Sequence, residues 1–212
     1  MLKPIGIFGG MFDPVHNGHL RLGLETQRQL GLQEVRLIPL YTPPHRDKPV
    51  ATAMQRLAML QLAIRDTPGL TVDDRELTRR GTSYAIDTVQ ILRGEYPRHS
   101  ICLIIGMDEF HILDTWRDWP SLLKIVHLII VDRPGLHTDT LRPVLAQLLG
   151  SHQSRDPHAL TAATAGAIIK ISAPLLEISS TYIRELIHAG ASIKYLTPDR
   201  VIDYIEKEKL YL

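Results

Sequence analysis

The chain has 212 residues, a formal net charge of +1, 44% hydrophobic residues and 22% charged residues. This length predicts one domain with a sizeable core, and the composition is ordinary for a globular protein. Because the charge is nearly balanced, nothing predicts a general attraction to nucleic acid. No apolar run reaches the length that a membrane span requires, so a membrane protein is not expected.

The cysteine count and the first residues bear on the compartment. Cys102 is the only cysteine, so an intrachain disulfide is excluded, and its apolar neighbours predict a buried, inert thiol. Residues 1–4 lead directly into a predicted strand, so we expect no signal peptide. Together these features favour a cytoplasmic protein, and they leave open whether it forms a homo-oligomer.

Residues 5–19 form the predicted nucleus of an active site. Residues 5–8 are typical of a short buried strand, and Gly9 and Gly10 allow a sharp turn after it. A helix is predicted from Asn17, with Gly31 as its C-cap. The order strand, glycine-rich loop, helix directs free backbone N–H groups and a helix dipole toward an anion.

Two histidines, His16 and His19, stand where other phosphate-binding loops carry a lysine. Each can donate hydrogen bonds to a phosphate oxygen, and the protonated form adds positive charge. Two alternatives are a turn with surface histidines and a pair of metal ligands. No nearby Cys or carboxylate completes a tetrahedral set, so binding of phosphate is the favoured interpretation.

Strands and helices alternate along the rest of the chain. Apolar runs predict further strands at 35–40, 70–74, 99–106, 124–131 and 167–171. Helices are predicted after a capping box of Thr52 and Gln55, after Thr82 or Ser83, at 141–149, after Ser179 or Ser180, and from about residue 198 to 208. Residues 151–157 are expected to be an exposed loop, and the last helix to pack on the sheet. This alternation predicts a mostly parallel α/β sheet.

Several polar and aromatic residues follow the predicted strands. Asp108 comes two residues after Gly106, at the end of a predicted strand. It could bind a ribose hydroxyl or orient a polar ligand there, or equally serve as a helix N-cap. Thr82 or Ser83 can cap the helix that follows, but capping does not account for the tyrosine beside them, Tyr84. Of the two tryptophans, Trp116 and Trp119, one can pack while the other presents its face to an aromatic ligand.

Two further segments carry cations. His45 and Arg46 lie in a proline-bounded loop that is either a solvated connection or a ligand contact, with a modest preference for contact. Arg184 follows the predicted caps Ser179 and Ser180 within about one helical turn. A cation there opposes the helix dipole, which Glu185 offsets in part. A bound phosphate would satisfy the serine, the free N–H groups and the arginine together.

The segment from Gly9 to His19 resembles the GGxFDPxHxGH signature of the HxGH nucleotidyltransferase superfamily. Residues 178–184, ISSTYIR, resemble the ISSTxIR signature that forms its second phosphate site. The segments around Tyr84, Asp108 and Trp116 are similar to those that one branch of the superfamily, which acts on nicotinate mononucleotide, uses for its pyridine nucleotide. The resemblance covers residues 5–135 and 167–190.

The resemblance implies a Rossmann-like, doubly wound α/β fold with helices on both faces. We expect a single nucleotidyltransferase domain over 1–212, with a small C-terminal helical subdomain at about 178–212.

The resemblance implies transfer of AMP from ATP to the 5′-phosphate of nicotinate mononucleotide, within NAD biosynthesis. It assigns catalysis to His16, His19 and Arg184. It assigns ATP binding to Gly9, Gly10, Met11, Phe12, Gly18, Gly106, Asp108, Ile178, Ser179 and Ser180. It assigns binding of the pyridine nucleotide to Thr82, Tyr84, Trp116, Arg133, His45 and Arg46. No acidic cluster for a metal is visible, so Mg²⁺ is expected to arrive on the phosphates of ATP.

Three rival hypotheses remain. The same chemistry could use another acceptor: nicotinamide mononucleotide, phosphopantetheine, FMN or a cytidylyl-transfer substrate. A nucleotide-binding regulator without turnover would bind ATP and release no pyrophosphate, although both histidines and Arg184 are present. A fragment of a class I aminoacyl-tRNA synthetase is disfavoured by the short chain and its balanced charge.

Overall fold

A computed structural model of the chain describes residues 3–44, 48–132, 140–174 and 176–212. The strands are β1 Ile5–Gly10, β2 Glu34–Pro39, β3 Leu70–Val72, β4 Ile101–Gly106, β5 His127–Val131, β6 Gln153–Ser154 and β7 Ile168–Ile171. The helices are α1 Asn17–Leu30, α2 Ala53–Ile64, α3 Arg75–Arg79, α4 Ala85–Glu95, α5 Met107–His111, α6 Leu122–Ile125, α7 Pro143–His152, α8 Ala159–Ala162, α9 Ser180–His188 and α10 Asp199–Lys207. Two short 3-10 helices cover Leu113–Thr115 and Trp119–Ser121.

The strands form one seven-stranded sheet in the order β3-β2-β1-β4-β5-β7-β6, and every strand pair is parallel. The chain winds outward from β1 in one direction, returns to β4 and winds outward in the other. This doubly wound topology confirms the predicted Rossmann-like fold. Its switch point lies between β1 and β4, where ligands bind in open parallel sheets.

Apolar residues of the central strands alternate between two cores. Cys102 and Ile104 of β4 pack on one face with α1, α2, α9 and α10, while Leu103 and Ile105 pack on the other with α4 to α7. Helices therefore cover both faces of the sheet, as predicted. Burial raises the pKa of the Cys102 thiol to about 12, which fits the inert thiol expected there.

Two local signals in the sequence are confirmed. Thr52 and Gln55 form the predicted capping box at the start of α2: the Gln55 amide donates to Thr52 Oγ1 at 3.3 Å, and the Thr52 amide donates to Gln55 Oε1 at 2.9 Å. Gly31 ends α1 in the left-handed conformation, with a φ of 61°. Within the described residues, no helix has the length and apolar character needed to cross a bilayer.

Three details differ from the sequence prediction, and a fourth refines it. The strand predicted from residue 124 begins at His127, because Leu122–Ile125 closes a helical turn first. The expected loop at 151–157 contains β6, a strand whose two residues are too few to show alternation. The last helix, α10, shares the core on one face of the sheet and makes its main helix contact with α2. The helix predicted after Thr82 or Ser83 begins beyond both, with Tyr84 as its N-cap, because the Ser83 hydroxyl accepts the Tyr41 amide at 2.9 Å instead.

Candidate active site

Two adjoining pockets open at the switch point, at the carboxyl ends of β1 and β4. Both are lined by Gly9, Gly10 and Gly106, which bring backbone rather than side chains to the floor. The pocket toward α1 and α9 is here named the polar pocket, and the pocket toward α4 is named the apolar pocket. The polar pocket contains every residue predicted for catalysis or ATP binding: Gly9, Gly10, Met11, Phe12, His16, Gly18, His19, Gly106, Asp108, Ile178, Ser179, Ser180 and Arg184.

His16 and His19 lie against each other at the start of α1. His16 is the N-cap residue and is buried, with only 6% of its surface exposed. The two rings stack, with centroids 3.6 Å apart and planes 26° apart. The His16 amide donates to His19 Nδ1 at 3.3 Å, so a neutral His19 carries its proton on Nε2. A Cβ at Gly18 would lie 3.0 Å from His16 Nδ1, so glycine leaves room for this ring.

A second helix begins at the same pocket. Ser179 is the N-cap of α9, and its hydroxyl accepts the Tyr182 amide at 3.1 Å. The N-termini of α1 and α9 therefore both line the polar pocket. The positive ends of their two dipoles make the pocket favourable for an anion with several charges.

Arg184 and Ser180 contact the glycine-rich loop directly. Arg184 Nη1 donates to the Asp13 carbonyl at 2.7 Å, and the Ser180 hydroxyl donates to the Pro14 carbonyl at 2.9 Å. The Ser180 hydroxyl thus gives its only proton to the loop. Arg184 has five N–H donors, so it retains capacity for a phosphate after this contact.

Asp108 is placed by the end of β4. It lies in the first turn of α5, whose N-cap is Gly106, so it is not the N-cap residue itself. Its carboxylate lies against Gly106, and a Cβ added at position 106 would overlap Asp108 Oδ1. Glycine at position 106 is therefore a condition for the carboxylate to point into the polar pocket.

The apolar pocket is lined by aromatic and aliphatic side chains. Tyr84 and Trp116 both line it and are half-buried. Trp119 does not line either pocket and packs with the core on that face of the sheet. Thr82 is exposed, pairs with Thr42 in an isolated bridge and also lies outside both pockets.

A buried polar cluster forms one wall of the apolar pocket. Glu76 is 3% exposed, and its Oε1 accepts the Thr88 hydroxyl at 2.6 Å, while Ser83 also hydrogen-bonds to this carboxyl. Burial raises the pKa of Glu76 above its ordinary value, against the effect of these hydrogen bonds. No local pattern in the sequence predicts this cluster, because it depends on packing between α3 and α4.

Arg117 is a pocket residue that sequence reasoning missed. Its guanidinium lies over the Tyr84 ring, 4.8 Å from the centroid, and Nη1 lies 3.6 Å from Asp87 Oδ2. Its position directly after Trp116 was the only available signal. Three predicted residues, His45, Arg46 and Arg133, lie outside the described residues.

The chain is similar to a protein-family model, to named relatives and to solved structures. The Cytidylyltransferase-like family model matches residues 7–186. A probable nicotinate-nucleotide adenylyltransferase of Cellvibrio japonicus is 45% identical over 100% of both chains. One of Aeromonas salmonicida is 44% identical over 100% of this chain and 99% of its own. Among solved structures, Plasmodium falciparum nicotinic acid mononucleotide adenylyltransferase complexed with NaAD shares the fold, with a TM-score of 0.73 at 18% identity over 99% of this chain and 97% of that one.

Proposed function

The chain belongs to the nicotinate-nucleotide adenylyltransferase family, and we propose that its two pockets together transfer AMP from ATP to nicotinate mononucleotide. One observation carries the proposal: two helix N-termini, two stacked histidines and Arg184 converge on one pocket beside an aromatic pocket. The polar pocket suits a triphosphate, and the apolar pocket suits a planar ring. The product would be nicotinate adenine dinucleotide, an intermediate in the synthesis of NAD.

The chemistry needs no nucleophile from the protein. A 5′-phosphate oxygen of nicotinate mononucleotide forms a bond to the α-phosphorus of ATP, and the bond from that phosphorus to the β-bridging oxygen breaks. The electron pair leaves with pyrophosphate. Because the attacking phosphate is already anionic, no general base is required. The protein contributes in-line positioning and neutralisation of charge.

Different residues of the polar pocket would position the phosphates and neutralise their charge. His16, His19 and the N-terminus of α1 would hold the α- and β-phosphates, where charge develops in the transition state. Arg184 and the N-terminus of α9 would hold the β- and γ-phosphates and the leaving pyrophosphate. The Asp108 carboxylate would accept a hydrogen bond from the adenosine side.

The apolar pocket would hold the pyridine ring. Trp116 and Tyr84 offer aromatic surfaces for stacking. Among the described residues that line this pocket, Arg117 is the only positively charged side chain. A carboxylate on the ring would be attracted to Arg117, and an amide would gain much less. This charge supports the acid form of the nucleotide as the substrate.

Mg²⁺ would reach the site on the phosphates of ATP. In the part of the chain that the structure describes, no three His, Cys, Asp or Glu residues are grouped so as to hold a metal. Mg²⁺ commonly keeps water and phosphate ligands with only one or two carboxylates. The carboxylates of Asp108 and Glu109 line the polar pocket and would fit such an ion. When bound, Mg²⁺ supplies neutralisation of the phosphate charge.

The family model spans residues 7–186, which supports one nucleotidyltransferase domain over most of the chain. We also propose a cytoplasmic location, in keeping with the single, buried cysteine of the chain.

An isotope experiment tests the reaction itself. ATP labelled at the α-phosphorus is incubated with the protein, Mg²⁺ and nicotinate mononucleotide. Attack at the α-phosphorus puts all transferred label into the dinucleotide and none into the pyrophosphate. Label in pyrophosphate or in free AMP without dinucleotide would overturn the proposed reaction.

A further inference from the structure

The loop before α1 carries a buried carboxylate, Asp13, with no assigned role. Asp13 is 4% exposed and lies between the glycine-rich turn and His16. Phe12, directly before it, has a φ of 50°, a left-handed conformation that is costly for a side chain of this size. Such a conformation persists only where surrounding contacts fix the backbone. The contacts of Asp13 are therefore of interest for the geometry of the polar pocket.

Three donors from two distant segments hold the Asp13 carboxylate. The Val50 amide donates to Oδ2 at 2.8 Å, and the Ala51 amide donates to Oδ1 at 3.1 Å. The third donor is the Tyr211 hydroxyl, which lies 2.7 Å from Oδ1. Tyr211 is the second-to-last residue, 198 positions away, and it is 8% exposed. Hydrogen bonds from neutral donors to a buried carboxylate are among the stronger ones in proteins.

The same loop is held by its carbonyl groups. Fully buried Arg56 donates to the Met11 carbonyl at 2.7 Å, and Thr197 donates to the Val15 carbonyl at 2.8 Å. The bonds from Thr197, Ser180 and Arg184 tie the loop to the C-terminal part of the chain, and the Arg56 bond ties it to α2. Tyr211 differs from these carbonyl-binding donors because it donates to a side chain of the loop, and from Val50 and Ala51 because its donor is itself a side chain.

The end of the chain is folded to deliver this hydroxyl. After α10, the Leu210 amide donates to the Ile205 carbonyl at 3.0 Å, and Tyr211 takes a φ of 65° that turns it into the core. Leu212, the last residue, is 78% exposed. Burial and the Asp13 charge raise the pKa of Tyr211 far above its ordinary value, so the hydroxyl remains a donor at any working pH.

We infer that Tyr211 is a positioning residue for nucleotidyl transfer: through Asp13 it fixes the loop that carries His16 at the polar pocket. Tyr211 lines neither pocket, so it acts through Asp13 and not on the substrate. A small displacement of the loop would move His16 and, through the stacked rings, His19. Misplacement by about 1 Å can cost on the order of 10²-fold in rate. The inference rests on the proposed transfer reaction.

The test compares Tyr211→Phe with Tyr204→Phe. Tyr204 lies on α10 and packs against the same core cluster, but it makes no hydrogen bond to the loop of residues 11–16. At a temperature where circular dichroism shows every protein folded, we expect Tyr211→Phe to lower kcat roughly tenfold, with Michaelis constants changed less than about twofold. Tyr204→Phe should stay within about twofold in kcat. Wild-type kcat in Tyr211→Phe would overturn the inference.

A double-mutant cycle separates positioning from packing. If Tyr211 acts through Asp13, adding Tyr211→Phe to Asp13→Asn should lower kcat by less than about twofold further. Full additivity would overturn the inference. Should Asp13→Asn fail to fold, the comparison of Tyr211→Phe with Tyr204→Phe decides alone, because each variant removes one hydroxyl and keeps the ring. A wild type without pyrophosphate release would refute the proposed function instead, so the two failures are distinguishable.

Discussion

The imidazole rings of His16 and His19 stack with centroids 3.6 Å apart at the N-terminus of α1. The His16 amide also donates to His19 Nδ1, so the backbone of one residue orients the ring of the other. The Phe12 ring meets His19 edge-on, with centroids 5.0 Å apart, and restricts it further. The two histidines therefore form one rigid unit aimed at the polar pocket, in the way that preorganised catalytic groups are held.

Loss of His19 should impair the chemical step. We expect His19→Ala to lower kcat by roughly 10²-fold or more with the fold intact, because it removes a donor to the transferring phosphates. Steady-state pyrophosphate release measures the effect, and circular dichroism checks the fold. His188→Ala, at an exposed position near the end of α9, is the matched control and should retain full activity. Near wild-type turnover in His19→Ala would remove this residue from the mechanism.

Trp116, which lines the apolar pocket, and Trp119, which does not, provide a matched pair of variants. Trp116→Ala should raise the Michaelis constant for nicotinate mononucleotide roughly tenfold, and that for ATP less than about twofold, because the ring loses a stacking surface. Trp119→Ala removes a half-buried indole of the same segment from outside both pockets. It should leave both constants near their wild-type values. Equal effects of Trp116→Ala on the two substrates would indicate packing alone.

Arg117 should influence the choice between acid and amide. The side chain is 59% exposed, so its attraction to a carboxylate is largely screened by water. We therefore expect Arg117→Gln to lower the preference for nicotinate over nicotinamide mononucleotide by only about fivefold. The measurement is the ratio of kcat/KM values for the two acceptors. Arg98→Gln, at an exposed site outside both pockets, should keep the wild-type ratio. An unchanged ratio in Arg117→Gln would exclude this role.

His127 should make stability depend on pH. It is fully buried: Nε2 lies 3.1 Å from the Ala163 carbonyl, and the Ala167 amide donates to Nδ1 at 3.1 Å. Burial lowers the pKa of His127 below its ordinary value of 6.5, and the Arg93 charge adds to this, against the hydrogen bond to Ala163. The unfolded chain then binds a proton near pH 6.5 that the folded chain still excludes. Stability is full above that pH and falls as the pH drops toward the folded pKa.

The variant His127→Gln tests this dependence, because its amide can still donate to Ala163 but does not titrate. Between about pH 7.5 and 5.5, urea unfolding should show a smaller loss of unfolding free energy in the variant than in the wild type. An identical pH dependence in the two proteins would contradict the assignment to His127.

Much of the fold and of the polar pocket could be predicted from local sequence. The residues from Gly9 to His19 are consecutive, so their strand, turn and helix place them together without any long-range contact. The motif from Ile178 to Arg184 is equally local. Because parallel strands bring their carboxyl ends to one edge, Gly106 and Asp108 join the same pocket as expected.

The remaining features depend on tertiary packing. The bond between Tyr211 and Asp13 joins residues 198 positions apart, and no periodicity or cap signals it. Arg56 carries a charge but lies in apolar surroundings. The helical pattern of α2 therefore did not predict that its side chain would be fully buried. The sequence predicted Ser83 as a possible helix cap. Only the structure shows that its hydroxyl instead accepts the Tyr41 amide.

The most direct test of the central claim is pyrophosphate release with ATP and Mg²⁺, measured in parallel with three acceptors. These are nicotinate mononucleotide, nicotinamide mononucleotide and phosphopantetheine. The geometry of the two pockets predicts strong preference for nicotinate mononucleotide. Faster release with either other acceptor, or ATP binding without release from any of the three, would contradict it.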